Sequence, residues 1–432
     1  MTIQKPREIA ARALLQRESG KGYIEETLDR ALVGSQLTPE DRGLTQEIAY
    51  GVVRWQGPID WLISRRTQGR EQKATLRVLL RMAIYQLFWL TRIPDHAAVN
   101  ETVELARAMG CGPQAGFVNA VLRGFIRERD TTESLIKGLK QNDVALAWSH
   151  PAWLCERWQQ RLGRDRLIQL LDWNNSPPKT FARVNLVKAD VNKLREQWAK
   201  EGVEAKLVPV EWARDSFVYE LVSHPPLASL PSFIEGKFYI QDPSTLLAVM
   251  ELEAQPGETI LDLCAAPGGK TNFIAERMKN TGRIIAHDTS EARLQLVTDN
   301  ATRLGVTNIE TTLPGTLDTR LATPADRILL DAPCSNTGVM RRRVDLRWRI
   351  RAEELQRLRT TQLDLLRSAV LRLKPGGTLV YSTCSLEPEE NEQVVREFLN
   401  EHPHVHFQRE RALTPWEHGV DGAYVARFVR GN

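Results

Sequence analysis

The chain has 432 residues, 42% of them hydrophobic and 26% charged, with a formal net charge of +4. That length accommodates two or three domains with separate cores, and the mild basicity permits a nucleic-acid partner without demanding one. No apolar stretch has transmembrane length and Met1-Thr-Ile-Gln-Lys-Pro6 carries no secretory pattern, so a cytoplasmic protein with no membrane partner is expected. The five cysteines are Cys111, Cys155, Cys264, Cys334 and Cys384. An odd number in a large cytosolic chain argues against a disulfide framework, and without a Cys-x-x-Cys pair no metal is expected. An important cysteine would then act as a thiol.

Residues 1–145 read as helices. Leu76, Leu79, Leu80, Ala83, Ile84, Leu87 and Phe88 recur at helical spacing, as do Val99, Val103 and Ala106 after Pro94. Asp95 is placed to cap the second helix. Arg7, Arg12, Arg54, Arg65, Arg66, Arg70, Arg77 and Arg81 read as a solvated face, with an RNA-facing patch as the alternative. The runs Asp41-Arg-Gly-Leu-Thr-Gln-Glu-Ile-Ala-Tyr-Gly-Val-Val-Arg54 and Phe117-Val-Asn-Ala-Val-Leu-Arg123 resemble the NusB family. The resemblance implies an all-α RNA-binding domain.

Residues 146–235 suggest a small α+β module that binds RNA or links domains. Trp148-Ser-His-Pro-Ala-Trp153 opens a short helical stretch and Asn174-Asn-Ser-Pro-Pro178 is a turn cluster. Phe181–Asn185, 205–210 and 217–221 read as strands, with a helix between the first two. Arg183 and Asn185 read as part of a surface strand, facing RNA in the alternative. Pro225, Pro226 and Pro231 mark a boundary.

Residues 236–432 alternate strand and helix. Strands are expected at 259–263, 283–287, 326–330 and 378–381, and helices at 244–252, 271–279, 290–304 and around Leu355 to Ala369. Such alternation implies a mostly parallel sheet covered on both faces, with ligands at the carboxyl ends of the strands. The turn Cys264, Ala265, Ala266, Pro267, Gly268, Gly269, Lys270 follows the first of these strands. Gly269-Lys-Thr271 suggests a phosphate-binding P-loop, but that motif needs a glycine where Cys264 stands. An S-adenosylmethionine turn is the better candidate. Asp288, at the next strand end, suits ribose hydroxyls; its spacing also fits NAD, although the turn is not G-x-G-x-x-G.

Asp331-Ala-Pro-Cys334 and Ser382-Thr-Cys384 each place a thiol just beyond a strand end. A methyl donor, two thiols and a carboxyl group suit methylation at cytosine C5. A thiolate adding to C6 activates C5, a second group assists removal of the C5 proton, and Asp331 stabilises charge near N3.

On these motifs, with Pro388-Glu-Glu-Asn391 and Asp421-Gly-Ala-Tyr-Val-Ala426 in order behind them, residues 238–428 resemble the RNA cytosine-C5 methyltransferases of the RsmB/NOP group. The resemblance implies a class I, Rossmann-like catalytic domain that uses S-adenosyl-L-methionine and no metal. It makes Cys384 the nucleophile and Cys334 the residue that helps resolve the adduct, with Asp331 at the base. The segment Cys264 to Lys270, Asp288 and Asp331 would bind the cofactor. With the NusB-like front, 16S ribosomal RNA or an assembling small subunit is the implied partner. A tRNA cytosine-C5 methyltransferase and a non-catalytic RNA-binding assembly factor are the alternatives. Two departures from the family stand out: Gly315 replaces the acid that edges the adenine in relatives, leaving only backbone contacts, and Arg341-Arg-Arg-Val-Asp345 replaces Arg-Arg-His-Pro-Asp. Arg341, Arg342, Arg343, Arg347 and Arg349 suit a phosphate backbone, with a solvated basic helix end as the alternative.

Overall fold

The computed structural model describes residues 5–431, which divide into two compact units. The first comprises the chain to Pro177 together with Met340–Arg349. It is helical because its apolar residues recur on helical faces and its helix starts are well made. Pro39–Arg54 begins with proline in its first turn, and Thr38 Oγ1 accepts the Asp41 N–H at 3.2 Å. Ala74–Trp89 buries residues on nearly every side, Leu76, Leu79, Leu80, Ala83, Ile84 and Leu87 among them, and forms the spine of this core.

Several expectations for polar residues here are overturned. Asp95 starts the helix Asp95–Ala108 but does not cap it; its carboxylate accepts from Arg129 Nη2 at 2.6 Å. Arg54 and Arg81 are buried. Arg81 is held by Asp60, with Nε–Oδ1 at 2.6 Å, and by Glu18, which also takes Arg77 at 2.9 Å. Arg54 and Arg81 therefore organise the core, whereas Arg12, Arg65 and Arg70 are exposed as expected of a solvated face. The helices Ala152–Leu162 and Arg164–Asn175 also belong to this compact unit.

The second unit comprises Pro178–Val339 and Ile350 onward. It holds two sheets. The smaller contains β1 (Phe181–Val184), β2 (Glu204–Val208), β3 (Val218–Ser223) and β4 (Phe238–Ile240), all antiparallel in the order β2-β3-β1-β4. Arg183 and Asn185 are fully buried, contrary to a surface strand. Arg183 pairs with Glu276 and stacks on Phe273, with its guanidinium carbon 4.2 Å from the ring centre. Asn185 Nδ2 donates to the Gly236 and Leu304 carbonyls, each at 2.8 Å. Both residues therefore fasten the small sheet to the helices of the larger one.

The larger sheet has seven strands in the order β10-β11-β9-β8-β5-β6-β7. They are β5 (Thr259–Leu263), β6 (Arg283–His287), β7 (Ile309–Thr312), β8 (Ala325–Asp331), β9 (Leu373–Thr383), β10 (Val405–Leu413) and β11 (Ala423–Arg430). The run from β9 to β7 is parallel, and β10 and β11 extend it antiparallel. The expected mostly parallel, doubly covered sheet is what forms. Among the described residues no helix is long and apolar enough to cross a membrane.

Candidate active site

Strand register brings the site together. In the parallel ladder Leu263 lies opposite His287 on one side and Leu330 on the other, while Asp331 lies opposite Ser382. Cys264, Asp288 and Asp331 therefore leave or end their strands side by side on the carboxyl edge, with Ser382 in the same row. Because β8 and β9 end in register, Cys334 and Cys384 emerge as neighbours although fifty positions apart in the chain.

The turn after β5 is shaped by its backbone. Cys264 takes a left-handed φ of 63° and Gly268 a φ of 98°, conformations that disfavour most side chains. The turn is pinned from the β6 side. Ala265 N–H donates to the His287 carbonyl at 2.9 Å, Ala266 N–H to Asp288 Oδ2 at 3.3 Å, and Arg293 Nη2 to the Ala266 carbonyl at 2.7 Å. Pro267 is the exposed crest, and Gly269 and Lys270 begin the helix Gly269–Arg277.

Three carboxyl groups surround this turn. Asp262 is buried, accepts from Thr271 Oγ1 at 2.6 Å, and has no partner for its Oδ1. Burial, opposed by the Thr271 hydrogen bond and reinforced by Asp331, pushes its pKa up to about 7. The Cys264 thiol is pushed up to about 12, by burial and then by Asp331, Asp288 and Asp262. Such a floor repels phosphates and suits a ligand bearing hydroxyl groups and positive charge. Asp288 also takes Ser290 N–H at 3.2 Å and Arg293 at 3.3 Å.

Lys270 joins the turn to the thiol side. Its Nζ donates to Asp331 Oδ2 at 2.6 Å, while Ser382 Oγ donates to Asp331 Oδ1 at 2.7 Å. Burial opposes the charge on Lys270, but Asp331 and the nearby Cys384 outweigh it, and the net shift is upward. The lysine therefore stays protonated between a carboxylate and a thiol.

The sulfurs of Cys334 and Cys384 lie 3.4 Å apart, both half-buried. Cys384 Sγ also donates to Asn336 Oδ1 at 3.2 Å, and Asn336 Nδ2 donates to the Cys334 carbonyl at 2.7 Å. The hydrogen bond to Cys384, together with burial, holds the Cys334 pKa well above the usual thiol value. Gly338 lets the two loops touch: its N–H donates to the Cys384 carbonyl at 2.9 Å, and an added Cβ would sit 2.7 Å from that oxygen.

Neither Asn336 nor Ser382 was singled out by sequence. Each is a polar residue close to a cysteine, and only the paired strand ends reveal what it touches. Gly315 lies in the exposed loop after β7, with open space around its Cα. Asp318, the nearest acid to it in that segment, is engaged by Arg372 at 2.7 Å. The arginine segment corrects the expectation of a phosphate-binding row. Arg341 and Arg347 are buried, and only Arg343 of the five is exposed. Arg341 stacks 3.8 Å over Trp173, and Arg347 donates to the Asn174 carbonyl at 2.9 Å and Asn175 Oδ1 at 2.6 Å. Asp345, also buried, accepts from Arg17 Nε at 2.7 Å and Ile24 N–H at 3.0 Å. Met340–Arg349 is thus an internal strut of the helical unit. Among the described residues no group of three or more His, Cys, Asp or Glu side chains has metal-holding geometry.

Family models match three parts of the chain: "NusB family" over 4–127, the RsmF/B-like ferredoxin-like domain over 150–218, and "16S rRNA methyltransferase RsmB/F" over 249–429. The probable ribosomal RNA small subunit methyltransferase B of Bacillus subtilis is 36% identical across 92% of this chain and 88% of its own length. Ribosomal RNA small subunit methyltransferase B of Klebsiella pneumoniae is 37% identical across 91% of each chain. Among solved structures, PH0851 is similar over 99% of both chains, with a TM-score of 0.79 and 26% identity. A methyltransferase homologue from Pyrococcus horikoshii covers 67% of this chain and 98% of its own, with a TM-score of 0.59 and 32% identity.

Proposed function

The chain belongs to the 16S rRNA methyltransferase RsmB/F family, and from that premise we propose that it methylates C5 of a cytosine in 16S ribosomal RNA through a covalent bond between Cys384 and C6. The observation that carries this reading is the pair of sulfurs 3.4 Å apart at adjacent strand ends, beside the Lys270–Asp331 ion pair. The small-subunit ribosomal RNA named for the relatives supports the choice of RNA. We assign RNA contact to residues 1–145 and 146–235, and the chemistry to 236–432.

S-adenosylmethionine supplies the electrophilic methyl group. Cys264, Ala265, Ala266, Pro267, Gly268, Gly269, Lys270, Asp288, Gly315 and Asp331 are the residues proposed to hold it. The fit rests on the donor set: Asp288 suits ribose hydroxyls, and the unpartnered Oδ1 of Asp262 in a ring of carboxylates suits a cationic ligand. Gly315 offers only its backbone, with open space around it.

The two thiols act in sequence. Two sulfurs in contact do not both carry charge, since ionisation of one suppresses the other. Cys384 ionises and adds to C6, and electrons move through the ring toward N3. Lys270 and Asp331 offer charge and a proton there. C5 thereby becomes nucleophilic and would take the methyl group from S-adenosylmethionine, whose sulfur would keep the bonding pair, so that C5 carries both the methyl group and its proton. Once Cys384 is a neutral thioether, its hold on the Cys334 proton lifts. Cys334 then gives its own proton to solvent and, as the thiolate, takes the C5 proton; the C5–C6 double bond re-forms, the proton lent to N3 returns, and Cys384 leaves as the thiolate. The base must leave its stack to reach both sulfurs.

Bisulfite sequencing of RNA from cells with and without the protein tests this. One cytosine of 16S ribosomal RNA protected only when the protein is present is the expected result. Protection in tRNA instead would favour a tRNA enzyme, and no protein-dependent protection would favour a non-catalytic assembly factor.

A further inference from the structure

The two cysteine loops share an anchor that neither touches substrate nor joins the chemistry. Glu390 is fully buried at the end of Pro388–Glu390, below the thiols. Its Oε1 accepts the Ser335 N–H at 2.8 Å and Gln362 Nε2 at 3.1 Å. Its Oε2 accepts the Ser385 hydroxyl at 2.5 Å and the Ser335 hydroxyl. Ser335 follows Cys334, and Ser385 follows Cys384. Gln362 Nε2 also donates to the Pro333 carbonyl at 2.9 Å, on the other side of Cys334. The Tyr381 hydroxyl donates to the Glu390 carbonyl at 2.5 Å and fixes the backbone that carries the carboxylate.

A buried carboxylate is costly unless its oxygens are satisfied, and a satisfied one is rigid. Here four donors come from three separate segments, and two of those segments are the residues that directly follow the thiols. We propose that Glu390 is a positioning residue that holds the Cys334 and Cys384 loops at sulfur-to-sulfur contact, so that both thiols meet the same pyrimidine. This rests on the proposed two-thiol reaction, and it adds a group that the reaction itself does not require.

The test combines an RNA-free measurement with kinetics. Diamide accepts two electrons and two protons from a pair of adjacent thiols to leave a disulfide, and peptide mapping assigns the Cys334–Cys384 link. For Glu390→Ala the rate of that link falls about tenfold and kcat about 10²-fold, the scale of a misplacement near 1 Å. KM for S-adenosylmethionine stays unchanged. Glu390→Gln, which keeps an acceptor for Ser335 N–H and the same shape, restores most of both. If the alanine variant does not fold, Ser385→Ala, which removes one of the four donors to Glu390, carries the same readouts with a smaller loss. Wild-type rates of disulfide formation and turnover in these variants would overturn the inference, as would a loss of turnover with unchanged disulfide formation. A wild-type protein that methylates no RNA would refute the functional reading alone, since the disulfide rate still judges Glu390.

Discussion

Asp262 makes a stability prediction that its burial quantifies. Its carboxyl is fully enclosed, with one oxygen hydrogen-bonded to Thr271 and the other without a partner. Its pKa rises from 3.8 to about 7, chiefly through burial. The folded chain therefore holds a proton that the unfolded chain has released, between pH about 4 and about 7. The sign follows: stability from this group is present at pH 4 and is lost as pH rises through 7, by on the order of 4 kcal/mol. Asp262→Asn removes the titration. For a unit of this size, 1 kcal/mol moves the melting temperature by about 2–4 °C. About 3 kcal/mol of that loss falls between pH 5 and pH 8, so calorimetric melting of the apoprotein at these two pH values should show the wild type losing about 5–10 °C more than Asp262→Asn. The difference between the two proteins cancels the other titrating groups. Parallel melting curves would refute the reasoning and show that this carboxyl titrates normally.

Other consequences can be checked separately. Gly338→Ala drives a Cβ against the Cys384 carbonyl; overpacking of this kind costs about 1–3 kcal/mol, and turnover should fall while calorimetric binding of S-adenosylmethionine persists. Asp345→Ala removes the buried carboxylate that holds the largely enclosed guanidinium of Arg17 and the Ile24 N–H. Breaking such a buried pair costs about 3–5 kcal/mol, so the melting temperature of the helical unit should drop. An unchanged transition there would contradict the internal-strut account.

The parts of the site that sequence made legible are those fixed by strand ends. Asp288, Cys334 and Cys384 each follow a short apolar run, and a parallel sheet delivers all such ends to one edge. The helical spine of Ala74–Trp89 was equally readable from its apolar spacing. What escaped was the partner of each polar side chain. Arg347 and Arg343 look alike in a basic run, yet one is enclosed by Asn174 and Asn175 and the other is exposed. Arg183 in a short strand reads as a surface residue until Glu276 and Phe273 arrive from a helix about ninety residues later. Glu390 sits in a motif visible in the sequence, but its carboxylate acquires meaning only when β8 and β9 end in register and bring Ser335 and Ser385 to it. Pairings between residues far apart in the chain are set by packing, and local pattern carries no trace of them.

The most direct measurement of the central claim is a denaturing gel of Cys334→Ala after incubation with small-subunit ribosomal RNA and S-adenosylmethionine. A slow-migrating covalent protein–RNA band is expected, because C6 remains bonded to Cys384 when the C5 proton is not removed. The band should vanish when Cys384→Ala is added. A band that survives loss of Cys384, or that forms with Cys384→Ala alone, would contradict the assignment of Cys384 as the nucleophile.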